Sequence, residues 1–436
     1  MNDTAIAKPT SAAAWWALTI LFLAYTLSFI DRTILSLLVE PIKHDMGLSD
    51  TQISLLQGLA FSLVYTVGGI PIAMVADRRS RSMIVSAGVA VWSVMTALCG
   101  FAGNFWQLFL ARMGVGIGEA SLGPCAYSLI ADLFPAERRG RAMAIYGAGV
   151  KVGAGLALLI GGTVIGFVAQ SDTVDSWFGP LRGWQLVFLI VGLPGLLVAL
   201  LALTMTEPRG RGAQIRMVVP IAVAPFLRAN RRAILCHFVG MGFCAMTAIA
   251  VTSWVPSFYI RVHGYTASEI GWTLGLILLL TGTLGAYCGG ALSDHLSARG
   301  YVDGPMRAAL IGICISTVFG PAAMLVGSPG LSLVLITIGA AFSAFCNPAG
   351  AAALQRMVPG PLRARVAALY LLVVTLISGV AGPTSVALAT DYLFGDPQMI
   401  GWSLALVILV GDLFGAFFLI LGLKPFREAV ARESGN

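Results

Sequence analysis

The chain is 436 residues long, 58% hydrophobic and only 11% charged, with a formal net charge of +7. Soluble domains carry about 25% charged side chains, so a water-soluble globular protein is excluded and a multi-pass membrane protein is implied. The basic residues lie between apolar runs rather than on one surface, which argues for membrane topology and against a nucleic-acid partner.

The opening "MNDTAIAKPTSAAAWW" lacks the basic flank and cleavage pattern of a secretory signal, so the first apolar run is expected to be retained. Runs of spanning length follow at 15–40, 51–76, 82–101, 103–131, 141–169 and 183–205, then at 233–260, 268–293, 306–327, 330–357, 364–390 and 400–423. At a rise of 1.5 Å per residue each can cross about 30 Å of hydrocarbon, predicting an all-α protein of twelve transmembrane helices.

Arginines mark every second connection. They are Arg78, Arg79 and Arg81; Arg138, Arg139 and Arg141; Arg209, Arg211, Arg216, Arg228, Arg231 and Arg232; Arg299 and Arg307; and Arg356, Arg363 and Arg365, with Lys424, Arg427 and Arg432 in the tail. The opposite loops hold only Lys43, Arg182 and Arg261. Both termini are therefore expected in the cytoplasm.

The second half repeats the first. "GPCAYSLIADLFPAERRGRAMAIYG" aligns without a gap on "NPAGAAALQRMVPGPLRARVAALYL", so that Pro124, Pro135, Arg139, Arg141 and Tyr146 fall on Pro348, Pro359, Arg363, Arg365 and Tyr370, each pair 224 residues apart. The expected organisation is a six-helix bundle over 1–205, a cytoplasmic linker over 206–232, and a second six-helix bundle with a short tail over 233–436. Such parallel duplication is the plan of a transporter whose two bundles rock about a central site. "AMVADRRSR" at 73–81 and "GALSDHLSARG" at 290–300 place Asp77, Arg81 and Asp294 at cytoplasmic helix ends, where they could clamp a gate.

Apart from Asp412 in helix 12, the charges deep in the spans lie in the first bundle: Asp31, Arg32, Arg112, Glu119 and Lys151. Each is costly in lipid and should face protein or water and find a partner. Counting along the runs puts Asp31 and Arg32 about 6 Å, and Arg112 about 7 Å, to the outer side of the midplane. Glu119 falls about 3 Å and Lys151 about 6 Å to the inner side. This predicts two groups, Asp31 with Arg112 and Glu119 with Lys151. Arg112 and Glu119, two turns apart, share a helix face. Asp31 and Glu119 can exchange protons as their surroundings change, while Arg112 stays charged and can hold an anion. Lys151 either lines the path or snorkels; Glu40 and Lys43 are interfacial, and Asp412 in helix 12 reads as a packing residue. "GVGIG" at 114–118 and "GAGVKVGAG" in helix 5 are read as close helix packing rather than a dinucleotide loop.

The second bundle offers Trp254, Tyr259, Tyr287, Phe345, Asn347, Tyr370 and Thr375, and Ser343 stands where the repeat places Glu119. With Phe29 and Tyr146 of the first bundle, Trp254, Phe345, Asn347, Tyr370 and Thr375 form the candidate substrate cavity. One ionised and one apolar wall suit an amphiphile. The seven cysteines show no ligand spacing and are expected to be small buried hydrophobes.

The whole chain resembles the major facilitator superfamily. More narrowly, "SFIDRTILS", "ARMGVGIGEAS" and "ADLFPAERRGRAMAIYGAG" resemble the spinster family and its bacterial relatives. The resemblance implies a monomeric, cofactor-free transporter in the bacterial inner membrane that moves lysolipids such as lysophospholipids or sphingosine 1-phosphate, coupled to protons. It also implies that Asp31 and Glu119 are proton-sensitive, that Arg32 and Arg112 organise them or meet a head group, and that Asp77 serves the gate. Ala73 departs from the glycine usual in the superfamily's first gate motif, whereas Gly290 keeps a small residue in the second. The competing expectations are a proton-linked carrier of small organic or aromatic anions and a non-transporting membrane sensor or structural protein. Enzymatic chemistry is not expected, since no metal cluster or nucleophile–base spacing occurs.

Overall fold

A computed structural model describes residues 11–76, 79–168, 174–176, 179–207 and 223–434. The first half runs α1 (Ser11–Leu37), α2 (Val39–Met46), α3 (Asp50–Gln57), α4 (Leu59–Ala76), α5 (Arg81–Cys99), α6 (Phe105–Glu119), α7 (Leu122–Leu133) and α8 (Ala136–Val168). A short antiparallel pair, β1 (Val174–Ser176) and β2 (Gly179–Leu181), leads to α9 (Gly183–Gly192) and α10 (Pro194–Ala202). The second half runs α11 (Val223–Ala229), α12 (Arg231–His263), α13 (Ala267–Ala298), α14 (Gly304–Leu325), α15 (Pro329–Ser343), α16 (Cys346–Met357), α17 (Arg363–Leu376), α18 (Gly382–Leu388) and α19 (Ile400–Ser434). Single π turns over Ile377–Ala381 and Ala389–Phe394 flank α18.

Among the described residues ten stretches are long and apolar enough to cross a membrane. The protein is thus all-α and multi-pass. Several of the expected spans are divided, among them 51–76 and 103–131. The first divides at Gly58, where a Cβ would lie 2.4 Å from the Gly379 carbonyl oxygen. The second breaks at Ala120–Ser121, directly after Glu119: the Ser121 hydroxyl takes the Gly118 carbonyl at 2.8 Å, in a stretch that glycine already makes a poor helix former.

The repeat is visible in the helix ends. Asn104 caps α6 by accepting from the Gln107 N–H, and Ser328 caps α15 by accepting from the Leu331 N–H. Glu119 and Ser343 end those helices, Leu122 and Cys346 begin the next, and Leu133 and Met357 end them. Every one of these boundary pairs differs by the same 224 residues as the sequence alignment.

Two compact units emerge. The first comprises Met1–Leu48, Leu59–Val218 and Ala267–Gly275; the second comprises Ser49–Gly58, Val219–Thr266 and Leu276–Asn436. In the first unit α1 packs along α8 and α5 along α6, over a core that includes Leu18, Leu21, Trp92, Val115, Leu129 and Tyr146. In the second, α12 packs along α19 and α14 along α15, around Phe238, Met306, Met357, Leu419 and Phe426.

The second unit also contains an ion pair that the sequence does not announce. Arg261, expected in an outer loop, lies in the last turn of α12 and donates Nη1 and Nη2 to the two Asp50 carboxylate oxygens at 2.7 and 2.8 Å. Both side chains are almost wholly buried, at 5% and 0% exposure. The cysteines also differ from expectation: Cys99, Cys125, Cys244 and Cys346 are buried, but Cys288 and Cys314 are exposed. In a membrane protein an apolar side chain needs no protein cover.

Candidate functional site

The first unit gathers its deep charges around α1. Ser28 and Arg32 stand one turn apart on one face and meet Glu119, the last residue of α6. Glu119 Oε2 accepts from Ser28 Oγ at 2.6 Å and Arg32 Nε at 2.7 Å, and Arg32 Nη2 lies 2.6 Å away in the same ion pair. The Glu119 side chain is 0% exposed, and its Oε1 has no hydrogen-bond partner among the described residues. The Arg32 guanidinium in turn lies over the rings of Phe29, Phe61 and Tyr65, at 4.8, 4.4 and 4.7 Å. A cation is therefore held by one carboxylate and an aromatic frame together.

Asp31, adjacent in sequence, points about 100° away around the helix and serves a different neighbour. Its Oδ2 accepts from Thr96 Oγ1 at 2.9 Å, while Oδ1 has no hydrogen-bond partner among the described residues. Arg112 Nη1 donates to the Asp31 backbone carbonyl at 3.1 Å. Phe61 lies 4.4 Å from the Arg32 guanidinium and 5.9 Å from that of Arg112.

This pairing corrects the one inferred from depth. Glu119 bonds Arg32 and not Lys151, which has no ion pair among the described residues. Arg112 reaches the main chain of Asp31 and not its carboxylate. A long, forked arginine side chain spans levels along the membrane that counts of helical rise treat as separate.

Glycine sets the spacing. A Cβ at Gly118 would lie 2.7 Å from the Gly88 carbonyl oxygen, and one at Gly153 of α8 would lie 2.4 Å from that of Thr26 in α1. Both glycine-rich stretches thus act as close-packing surfaces that bring α6 and α8 against their neighbours.

The remaining cavity candidates are placed as follows. Tyr146 is buried and stacks on Tyr25 at 4.4 Å with an interplanar angle of 8°. In the second unit Trp254 is fully buried and donates its indole N–H to the Pro383 carbonyl at 2.9 Å. Phe345 is buried against Phe342 beside the break between α15 and α16. Tyr370 stacks on the buried ring of His237. Tyr259 is buried with its hydroxyl 2.8 Å from that of Ser332. Asn347 and Tyr287 are exposed and Thr375 is half-buried. Asp412 is buried and accepts from Thr247 at 2.8 Å.

Of the residues expected at a gate, Asp77 lies outside the described residues. Arg81 donates Nη1 to Asp132 at 2.6 Å and to Ser128 at 2.7 Å, and Nε to Glu207 at 3.2 Å. Glu207 also accepts from Ser80 Oγ at 2.5 Å and from the Arg81 N–H at 2.9 Å. Partial burial pulls the Glu207 carboxyl upward, but these hydrogen bonds and the guanidinium outweigh it and hold the group below the usual carboxylate range. Asp294 is exposed and without an ion pair among the described residues.

Sequence reasoning missed Ser28, Thr96, Phe61 and Tyr65 around the charges, and Asp132 and Glu207 around Arg81. Ser28 carried a usable signal, one turn before Arg32 on the same face. The others come from separate helices, and no local pattern ties them to their partners. Among the described residues no group of three or more His, Cys, Asp or Glu could hold a metal.

The Major Facilitator Superfamily model matches residues 21–383. The chain is 31% identical over 427 residues to an MFS-type efflux pump of Mycolicibacterium smegmatis, covering 97% of this chain and 95% of the pump. It is 29% identical to human protein spinster homolog 1, covering 96% of this chain and 82% of that protein. Among solved structures, it is similar to a bacterial homologue of the human lysosomal transporter Spinster in an inward-facing, unoccupied conformation. The TM-score is 0.83 at 29% identity, covering 96% of this chain and 99% of that one.

Proposed function

The chain belongs to the Major Facilitator Superfamily, a class of secondary transporters rather than enzymes, and from that premise we propose that it moves lysolipid-like amphiphiles by proton-coupled alternating access. In this reading its helices form two six-helix bundles, over 1–205 and 233–436, joined by the 206–232 linker. Both termini are cytoplasmic, and the protein works as a monomer in a bacterial inner membrane. Asp77, Arg81 and Asp294 serve the cytoplasmic gate.

The observation that carries the proposal is the buried Glu119 carboxylate bonded to a guanidinium that three aromatic rings also hold. A proton added to Glu119 removes the charge that fixes Arg32. The guanidinium is then available to an anionic head group, which it can grip with two parallel hydrogen bonds. Loss of the proton restores the internal pair and competes the head group away. Proton and substrate are thereby linked through one cation, which has only one carboxylate or phosphate to bind at a time. Asp31 supplies a second carboxyl in the same region, and Arg112 braces its main-chain carbonyl. The choice of an amphiphile with an anionic or zwitterionic head rests on the resemblance of the sequence motifs to the spinster family and on one ionised and one apolar wall.

The test is transport in proteoliposomes of a lysophospholipid and of a compact aromatic carboxylate, at two pH values, by the wild type and by Glu119→Gln and Asp31→Asn. Saturable, pH-dependent movement of the lysophospholipid, with the pH dependence blunted in the variants, is expected. Movement of the carboxylate alone overturns the substrate assignment. Unchanged pH dependence in both variants overturns the coupling role.

A further inference from the structure

At the end of the second unit that bears the N-terminus of α12 and the C-terminus of α19, three chain segments enclose a pocket of about 320 Å³, room for on the order of ten waters. Five cations line it: Arg228 from α11, Arg231 and Arg232 from the first turn of α12, and Lys424 and Arg432 from α19. One carboxylate joins them, Glu428, whose Oε2 lies 3.9 Å from Arg432. Arg432 also donates Nη1 to the Ala229 carbonyl at 2.9 Å, tying the end of α19 to the end of α11 and holding the pocket together.

The main chain adds to the side chains. α12 is 33 residues long, and its N-cap residue, Asn230, makes no side-chain capping bond. The residues of its first turn line the same pocket. An uncapped helix start carries a partial positive charge and donors aimed outward.

Placing loop arginines on the cytoplasmic side requires only that they be there. It does not require that five cations from three separate segments converge on one concavity with a single carboxylate among them. Their mutual repulsion favours a bound anion, and guanidinium forks match phosphate oxygens.

We propose that this pocket binds a phosphate-bearing anion. The same chemistry is presented by the head group of an anionic phospholipid and by a soluble phosphate ester. Basic pockets among transmembrane helices at the cytoplasmic surface are suited to lipid head groups in particular. The site lies wholly within the second unit and is built from residues that take no part in the Glu119 pair, so it stands independently of the transport reading.

The test uses the full-length protein in an uncharged detergent, with its melting followed as a probe is titrated. The probes are phosphatidylglycerol, phosphatidylcholine and sn-glycerol 3-phosphate. Phosphatidylglycerol or glycerol 3-phosphate should raise the melting temperature saturably, and phosphatidylcholine should not. Saturation by phosphatidylglycerol alone identifies a lipid head group; saturation by glycerol 3-phosphate as well identifies a soluble ester as a competent ligand. The double variant Arg231→Gln/Arg232→Gln should raise the half-saturating concentration roughly 30-fold, at about a factor of five per lost cation. Arg231→Lys/Arg232→Lys, which keeps the charge, should weaken it less. Arg299→Gln, an exposed arginine at the end of α13 outside the pocket, should leave it unchanged. The proposal is overturned if neither anionic probe saturates with the wild type, if the double Gln variant titrates like the wild type, or if Arg299→Gln weakens binding as much as the double variant does.

Discussion

Replacing Arg32 by alanine offers a quantitative test of the charge arrangement. The substitution removes two contacts to Glu119 Oε2 and the cation over three rings. A carboxylate with 0% side-chain exposure is left without its counter-charge, which costs about 3–5 kcal/mol. Three cation–π contacts at about 0.5–1 kcal/mol each add roughly 2 kcal/mol. Arg32→Ala should therefore destabilise the protein by about 5–7 kcal/mol. Adding Glu119→Gln removes the stranded charge and leaves mainly the loss at the rings and a hydrogen bond, about 2–3 kcal/mol. The second substitution should thus restore roughly 3 kcal/mol in the Arg32→Ala background. Equilibrium unfolding of the wild type, both single variants and the double variant in bicelles gives the coupling energy directly. A double variant less stable than Arg32→Ala, or an Arg32→Ala protein within 1 kcal/mol of the wild type, would refute the reasoning.

The other expectations concern packing, acid stability and the second unit. Gly153→Val should cost at least about 1–3 kcal/mol, since even its Cβ meets the main chain of α1. Gly147→Ala, six residues earlier in α8 with no atom within 4 Å of the added Cβ, should stabilise by up to about 1 kcal/mol; melting curves decide both. Glu207 is held below the unfolded carboxylate value of about 4.3. Its contribution is complete above that pH and is lost as pH falls through the lower folded value, so Glu207→Gln should lack this part of the acid destabilisation in melts between about pH 5 and pH 3. Asp412→Asn keeps an acceptor for Thr247 and should change stability by less than about 1 kcal/mol, with an unaltered pH profile of transport in proteoliposomes.

The all-α, multi-pass character was legible because a bilayer demands long apolar helices, and the duplication was legible because five matched residues share one offset. The breaks between α6 and α7 and between α15 and α16 were not. Hydropathy averages over a turn and does not register that Ser121 diverts a carbonyl or that glycine crowds the preceding turn. The same interruption explains the error in pairing: Glu119 stands at a helix end, where a straight-rod count of depth loses meaning, and Arg32 has the reach to find it. Asp50 and Arg261 escaped notice for another reason. They are 211 residues apart, and each looks like an ordinary charge near a membrane surface until α3 is seen packed within the second unit.

The coincident ends of α6 with α15 and of α7 with α16 give this chain its own yardstick. A probe, crosslink or insertion placed between Asn104 and Leu133 has a twin site between Ser328 and Met357 in the same polypeptide, with the same local backbone but no ionised residue where Glu119 stands. Comparing the twins separates what bending of the backbone does from what the carboxylate does, without recourse to a second protein.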